Sequence, residues 1–445
     1  MTGITHSAKL TSPTERSDPV LASLTRVEAD IRAGEHQAAA TRLNQLQLEA
    51  PGDPRVLMTG VMLAAAVGNS AAELQAAERA VAIAPTWAPA LIELAGVLAR
   101  QGEFRRALTV ADRAVAAAPL ALNILESATS IANLAGDKES AARYLEQSQR
   151  AAPDNISVRL ARGYNLLDRR QFEDATRVFA SVLEVEPANL LALTGRGYAA
   201  LDRGDMAAAK AHFAELVQLH PDNELYQYYA DIADGKTPTK QPAQIARRLF
   251  DGYAVRFDKH LVGALKYRAP KRIAEIVRQH RPGLDFAMLD LGCGTGLMGV
   301  YLGKPADGLV GVDVSAGMIS EAIKHNIYDR FHQVNLLDAL RDSPTGSFDV
   351  ITAADVFIYV GELSEAILNA KRVLRPSGLF VFSCEATEAG EADLVLRTTQ
   401  RYAHSQASMR RLCEIAGFVG VEIEPFDIRE ERGVAMNGFI VVAST

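Results

Sequence analysis

Three glycines, Gly292, Gly294 and Gly296, alternate along LDLGCGTG (residues 289–296), between an apolar run and a stretch with helical spacing. Glycine tolerates positive φ and lets a backbone pass close to a ligand where a Cβ would collide, so this run reads as a binding turn. Its spacing is GxGxG, and Leu297 stands where a dinucleotide-binding GxGxxG loop would place its third glycine. No GxxxxGK[ST] occurs, which excludes a Walker-type phosphate loop. Asp290, two residues before the first glycine, puts a carboxylate where it would repel a pyrophosphate and suit a cation. Asp313, 17 residues after Gly296 at the end of GLVGVDVS, can accept both hydroxyls of a ribose. An adenosine with a cationic or zwitterionic tail fits both carboxylates.

Those residues need elements to hold them. Seven short apolar runs follow residue 280: FAMLDLG, GLVGVDVS, FHQVNLL, FDVITAADVF, GLFVFSCE, GVEIEPF and NGFIVVAS. Helical segments separate the first five, which predicts a parallel sheet, because parallel neighbours need a crossover between them. The last two follow one another directly and read as a hairpin. Ligands of such sheets bind beyond the carboxyl ends of the strands, where the glycine turn lies. Upstream, AQIARRLFDGYAVRFDKHLV and PKRIAEIVRQH read as helices, and the two prolines of KTPTKQP read as a short linker.

The first half is periodic. Pro51, Pro85, Pro119, Pro153, Pro187 and Pro221 stand 34 residues apart. Seventeen residues before each stands Gly34, Gly68, Gly102, Gly136, Arg170 or Gly204, at the place of a tight turn between paired helices. A third column reads Ala39, Glu73, Ala107, Ala141, Ala175 and Ala209, small residues for close helix approach apart from Glu73. Gly163, Gly197, Phe179 and Phe213 recur in the later units. A 34-residue helix-turn-helix period with these columns resembles the tetratricopeptide repeat family over roughly residues 20–223. Stacked units of this kind form a solenoid with a concave surface.

Composition narrows the class. The 445 residues are 48% hydrophobic and 23% charged with a formal charge of -7, which argues against nucleic acid as a partner. Neither an apolar leader-like region near the start nor an apolar run long enough to span a membrane is present, so a cytoplasmic protein without membrane association is expected. Cys293, Cys384 and Cys413 lie far apart without CxxC spacing, which excludes a disulfide framework or structural zinc site, and no metal is expected.

LDLGCGTG followed by GVDVS is similar to the class I S-adenosylmethionine-dependent methyltransferases, over roughly residues 241–445. The resemblance implies a Rossmann-like α/β domain with a seven-stranded, mostly parallel sheet, with S-adenosylmethionine as cofactor and S-adenosylhomocysteine as product. It implies cofactor contacts at Asp290, Gly292, Cys293, Gly294 and Gly296, a ribose acid at Asp313 beside Val314, and Met318 by the adenine. Asn335, with Leu336, takes the place of an acid after the third strand and keeps an acceptor without the charge. AADVFIYV brings Asp355 and Val356 to the cofactor and Tyr359 towards the substrate. Repeats followed by such a domain are similar to bacterial methyltransferases that carry tetratricopeptide repeats, a group with no agreed substrate.

Methyl transfer from a sulfonium is an in-line displacement governed by positioning and exclusion of water, and a hydroxyl or amine acceptor can need a base. Tyr359 and Glu385 at strand ends, and Tyr402 and His404 in RYAHS, are the candidates. Tyr253, Asp258 and His260 lie on the helix before the first strand, and Tyr253 is assigned to the cofactor. Cys293 reads as a small packed residue, since no histidine lies nearby in sequence.

The expected organisation is multidomain: a disordered tail at 1–19, an all-α solenoid of six repeats and a capping helix at 20–235, a linker at 236–241, and the methyltransferase domain at 242–445. The expected function is methyl transfer to an oxygen or nitrogen acceptor, with a protein or peptide partner held on the concave surface of the repeats. The alternative is an adaptor whose second domain binds the cofactor without catalysis. The sequence leaves the oligomeric state and the acceptor open.

Overall fold

The computed structural model describes residues 18–251, 267–431 and 434–445. It divides into two compact units, one ending at Pro153 and the other running from Asp154 to Thr445.

The first unit is helical, from α1 (Pro19–Arg32) to α8 (Lys138–Ala151). Gly34, Gly68, Gly102 and Gly136 turn each pair at φ between 70° and 79°, the left-handed region that a Cβ disfavours. Ala39, Ala107 and Ala141 are fully buried between helices. Glu73, which breaks that column, is buried all the same, and its carboxylate meets Arg100 Nη2 at 2.6 Å.

The second unit opens with the last two repeats, from α9 (Ile156–Asp168) to α12 (Met206–Leu219), and α13 (Glu224–Ala233) covers them. Gly163 is required by packing, because a Cβ there would stand 2.5 Å from the Phe179 ring. Tyr229 of α13 stacks on Phe213 at 5.3 Å, closing the apolar face of the sixth repeat.

After α14 (Ala243–Asp251) and α15 (Ala269–His280), five strands alternate with helices. They are β1 (Met288–Leu291), β2 (Leu309–Val312), β3 (Arg330–His332), β4 (Phe348–Ala353) and β5 (Leu374–Ala386). The helices between them are α16 (Leu297–Leu302), α17 (Ala316–Ile323), α18 (Leu336–Asp342) and α19 (Ser364–Val373). The order β3-β2-β1-β4-β5 is parallel throughout. β8 (Gly420–Glu431) and β9 (Val434–Ser444) form the expected hairpin, with β9 antiparallel to β5. The strand period of two sends Met288, Val350 and Val381 to one face of the sheet and Leu289, Ile351 and Phe380 to the other, where separate helix layers cover them.

Among the described residues the sheet has nine strands where seven were expected. The additions are β6 (Leu394–Leu396) and β7 (Tyr402–His404), a short hairpin whose β7 pairs with Glu385 and Ala386 at the end of β5. Three-residue strands show no periodicity, so RYAHS reads in sequence as a polar lead-in to α20 (Gln406–Ile415) although Tyr402, Ala403 and His404 are all buried.

Candidate functional site

A cavity of about 800 Å³ opens beyond the carboxyl ends of β1, β2 and β4. The glycine turn forms its floor. Gly292, Gly294 and Gly296 have φ of 62°, 53° and 87°, so all three use the left-handed conformation. A Cβ on Gly292 would stand 2.4 Å from a Val356 methyl, so that glycine also answers a close approach. Gly296 starts α16 and packs against Ala322 and Tyr328, behind the cavity wall.

Asp313 ties the turn to β2. Its Oδ2 accepts the Gly294 N–H and its Oδ1 the Ser315 N–H, both at 2.9 Å, and it lines the cavity with Val314. Ser315 caps α17 by accepting the Met318 N–H, which sets Met318 on the same wall. Asn335 caps α18 through the Leu337 N–H at 2.8 Å, and Asn335 and Leu336 line the cavity.

Asp290 also faces the cavity yet is only 1% exposed. Tyr328 donates to one carboxylate oxygen and Thr352 to the other, both at 2.7 Å. Burial pushes its pKa up to about 6, against the pull of the two hydroxyls. The Cys293 thiol is held well above its ordinary range by burial, and it packs by Gly311, so it stays protonated.

Asp355, Val356 and Tyr359 form the next wall. Asp355 is held at φ 56°, its N–H donated to Ser383 Oγ at 2.8 Å. Its carboxylate accepts from Arg429 Nη1 at 2.9 and 3.0 Å, while Arg429 Nη2 reaches Glu385 at 3.1 Å. The Arg429 side chain is 2% exposed, so one buried guanidinium is shared by the buried Glu385 and the half-buried Asp355. Glu385 lies behind Arg429 rather than on the cavity surface, and burial raises its pKa. The Tyr359 ring meets Phe250 edge to face at 5.4 Å. Tyr267, half-buried, lines the same region and donates to the Ala354 carbonyl at 3.1 Å.

Tyr402 and His404 are not brought to the cavity. Tyr402 is buried beside Tyr228 of α13, and His404 Nε2 lies 3.4 Å from the Phe357 carbonyl, with burial pushing its pKa down to about 4. Tyr253, Asp258 and His260 lie outside the described residues, as does nearly all of the tail at 1–19. Among the described residues no group of three or more His, Cys, Asp or Glu could hold a metal ion.

Arg429, Thr352, Tyr328 and Tyr267 were not singled out from the sequence. The sequence carried no signal for Arg429, which lies beyond the run GVEIEPF and is seen to be buried only in the fold, where an arginine is costly to bury unpaired.

Residues 289–382 match a family model described as a methyltransferase domain, and residues 92–156 and 160–224 match the tetratricopeptide repeat model. The chain is 29% identical over 186 residues to "Methyltransferase-like protein 27" of Homo sapiens, covering 40% of this chain and 70% of that protein. It is 27% identical over 153 residues to "Ubiquinone biosynthesis O-methyltransferase" of Methylococcus capsulatus, covering 32% of this chain and 64% of that protein. For the Pasteurella multocida protein of the same name the chain spans 52% of its length, about half. A solved structure of Burkholderia thailandensis 1,6-didemethyltoxoflavin-N1-methyltransferase, with bound 1,6-didemethyltoxoflavin and S-adenosylhomocysteine, aligns at 18% identity and a TM-score of 0.36. That alignment covers 47% of this chain and 92% of the other. The chain thus carries a methyltransferase domain of Rossmann-like fold behind tetratricopeptide repeats.

Proposed function

We propose that this chain transfers a methyl group from S-adenosylmethionine to an oxygen or nitrogen atom, with S-adenosylhomocysteine as the product. The observation that carries the reading is the placement of Asp290 and Asp313 on either side of one glycine turn, inside one cavity. The residues fit the cofactor: Asp313 is set to accept ribose hydroxyls, Met318 and Leu336 offer an apolar slot for an adenine, and Asp290 offers negative charge to a cationic tail. When bound, the cofactor supplies a methyl carbon attached to a sulfonium, open to in-line attack.

The chain's own part is to position the acceptor and exclude water. Tyr359, on the wall nearest Asp355, is the group best placed to accept a hydrogen bond from an acceptor hydroxyl or amine. Glu385 acts through Arg429, which it helps to hold against Asp355. The names of the curated relatives, ubiquinone biosynthesis O-methyltransferases among them, support an oxygen acceptor. The apolar and aromatic lining from Leu249, Phe250, Tyr267 and Tyr359 suits an acceptor with an aromatic or apolar body. The repeats support a protein or peptide partner that brings the acceptor.

Calorimetry with S-adenosylhomocysteine on the full chain tests the reading. Saturable 1:1 binding, weakened at least tenfold by Asp313→Ala, is expected. No binding by the unaltered chain would remove the proposal, and binding without transfer of labelled methyl to any component of a cell lysate would leave the adaptor as the better description.

A further inference from the structure

The acceptor side of the cavity is built in part by residues that directly follow the repeats. Gln241, Pro242, Leu249 and Phe250 line it, as does Arg401 from the turn of the β6–β7 hairpin. That turn is tight: the Arg397 and Arg401 backbones pair at 2.8 Å, and Gln400 takes φ 58°, a conformation costly for a residue with a Cβ. Such a conformation persists where its surroundings hold it. Tyr229 of α13 donates to the Gln400 side-chain oxygen at 3.1 Å, and Gln241 Nε2 donates to the Gln400 carbonyl at 3.1 Å. The same Gln241 amide reaches the Tyr228 hydroxyl of α13 at 3.3 Å.

Two residues earlier, the chain is pinned at a second point. The Thr239 carbonyl accepts the Glu362 N–H at 2.8 Å, and a Cβ at Gly361 would stand 2.6 Å from that carbonyl oxygen. Gly361 is two residues from Tyr359, and Gln400 is adjacent to Arg401. Between those points the Arg401 guanidinium lies beside the Tyr359 hydroxyl, opposing the upward push that burial gives that phenol.

We infer that the segment 239–241 is a clasp between the repeats and the acceptor wall, and that Gln241 is a positioning residue that sets Arg401 against Tyr359 through the Gln400 turn. The capping helix of the repeats then fixes acceptor geometry as well as carrying a partner surface. This role for the Tyr359–Arg401 pair rests on the methyltransferase reading of the cavity, whereas the coupling itself can be read without ligand.

The test uses the full chain labelled with 3-fluorotyrosine, with the Tyr359 fluorine resonance assigned by its loss in Tyr359→Phe. Arg401→Ala is expected to shift that resonance, and Gln241→Ala to shift it in the same direction by half as much or more. In the Arg401→Ala background, Gln241→Ala is expected to add little, because its effect passes through Arg401. A Gln241→Ala shift that is absent, or equally large without Arg401, would overturn the inference, as would an unmoved resonance in Arg401→Ala. If Gln241→Ala does not fold, Gln241→Glu, of the same size without the amide donor, carries the same cycle. S-adenosylhomocysteine binding by the unaltered chain is read separately: its failure removes the methyltransferase reading and leaves this coupling standing.

Discussion

Asp290 shows what a buried carboxylate costs a fold. Its carboxyl is buried, and its pKa stands at about 6 rather than the ordinary 3.8. The native chain therefore keeps a proton that the unfolded chain loses between pH 4 and 6, so the contribution of Asp290 to stability falls as pH rises through that window and is flat above it. A shift of roughly two units corresponds to about 3 kcal/mol, an order of magnitude for the cost of the buried charge at neutral pH. Asp290→Asn keeps the size and can still bond the Tyr328 and Thr352 hydroxyls. Thermal melts should show it more stable than the native chain at pH 7.5 and close to it at pH 4.5, and calorimetry should show weaker binding of the cationic S-adenosylmethionine. An equal change in Tm at both pH values would show that the carboxylate carries no such penalty. Asp290 and Asp313 were legible in the sequence because each belongs to an apolar run, one just before the glycine turn and the other 17 residues after its last glycine. Arg429 was not, because its contact with Asp355 closes a loop of 74 residues and exists only once β8 joins the sheet.

At the scale of elements, what repeats could be read and what is short could not. The helix pairs follow from a 34-residue register, and the seven main strands from apolar runs long enough to show their type. The β6–β7 hairpin escaped because neither of its three-residue strands was marked by a run such as FHQVNLL, which marked the equally short β3, and with it went the placement of Tyr402 and His404. The one turn that departs from glycine still obeys the geometry: Arg170 takes φ 60°, matching Gly204 at 77° and the earlier turns. A left-handed conformation costs a residue with a Cβ about 1–2 kcal/mol, partly offset by the greater freedom glycine has in the unfolded chain. Arg170→Gly should therefore stabilise the chain by about 0.5–1 kcal/mol, read as a higher denaturant midpoint at unchanged slope. Gly204→Arg, made as a control, should move the midpoint the other way. A lower midpoint for Arg170→Gly would mean that the Arg170 guanidinium over the Phe172 ring, 5.8 Å from its centroid, outweighs the backbone term.

At the scale of the molecule, the sequence pattern changes near Gln241, whereas the division between compact units falls between Pro153 and Asp154, within the repeat register. The last two repeats and α13 thus belong to the same unit as the sheet. Leu396 of the hairpin and Ile245 of α14 pack against the cluster of Tyr226, Tyr228 and Tyr229, and Gln241 and Gln400 bond to the hydroxyls of Tyr228 and Tyr229. A fragment starting at Asp154 keeps all of these contacts, and one starting at Lys236 loses every contact with α13. Beyond the exposed bonds of Lys236 to Asp231, the loss includes two hydrogen bonds at the hydroxyls of Tyr228 and Tyr229, worth about 1 kcal/mol net each, and an aromatic cover worth about 1.5–3 kcal/mol. For a fragment of this size each kcal/mol moves Tm by about 2–4 °C. The longer fragment should therefore melt at least about 5 °C above the shorter one. Proteolysis of the shorter fragment should begin in the hairpin at 394–404, where the Tyr402 side chain has lost its neighbour Tyr228. Equal melting temperatures would mean that the sheet domain is complete without the repeats and that α13 only leans on it. A gap of the expected size would make the last repeats part of the folded methyltransferase unit, so that any partner drawn to their surface acts on a body continuous with the cavity wall.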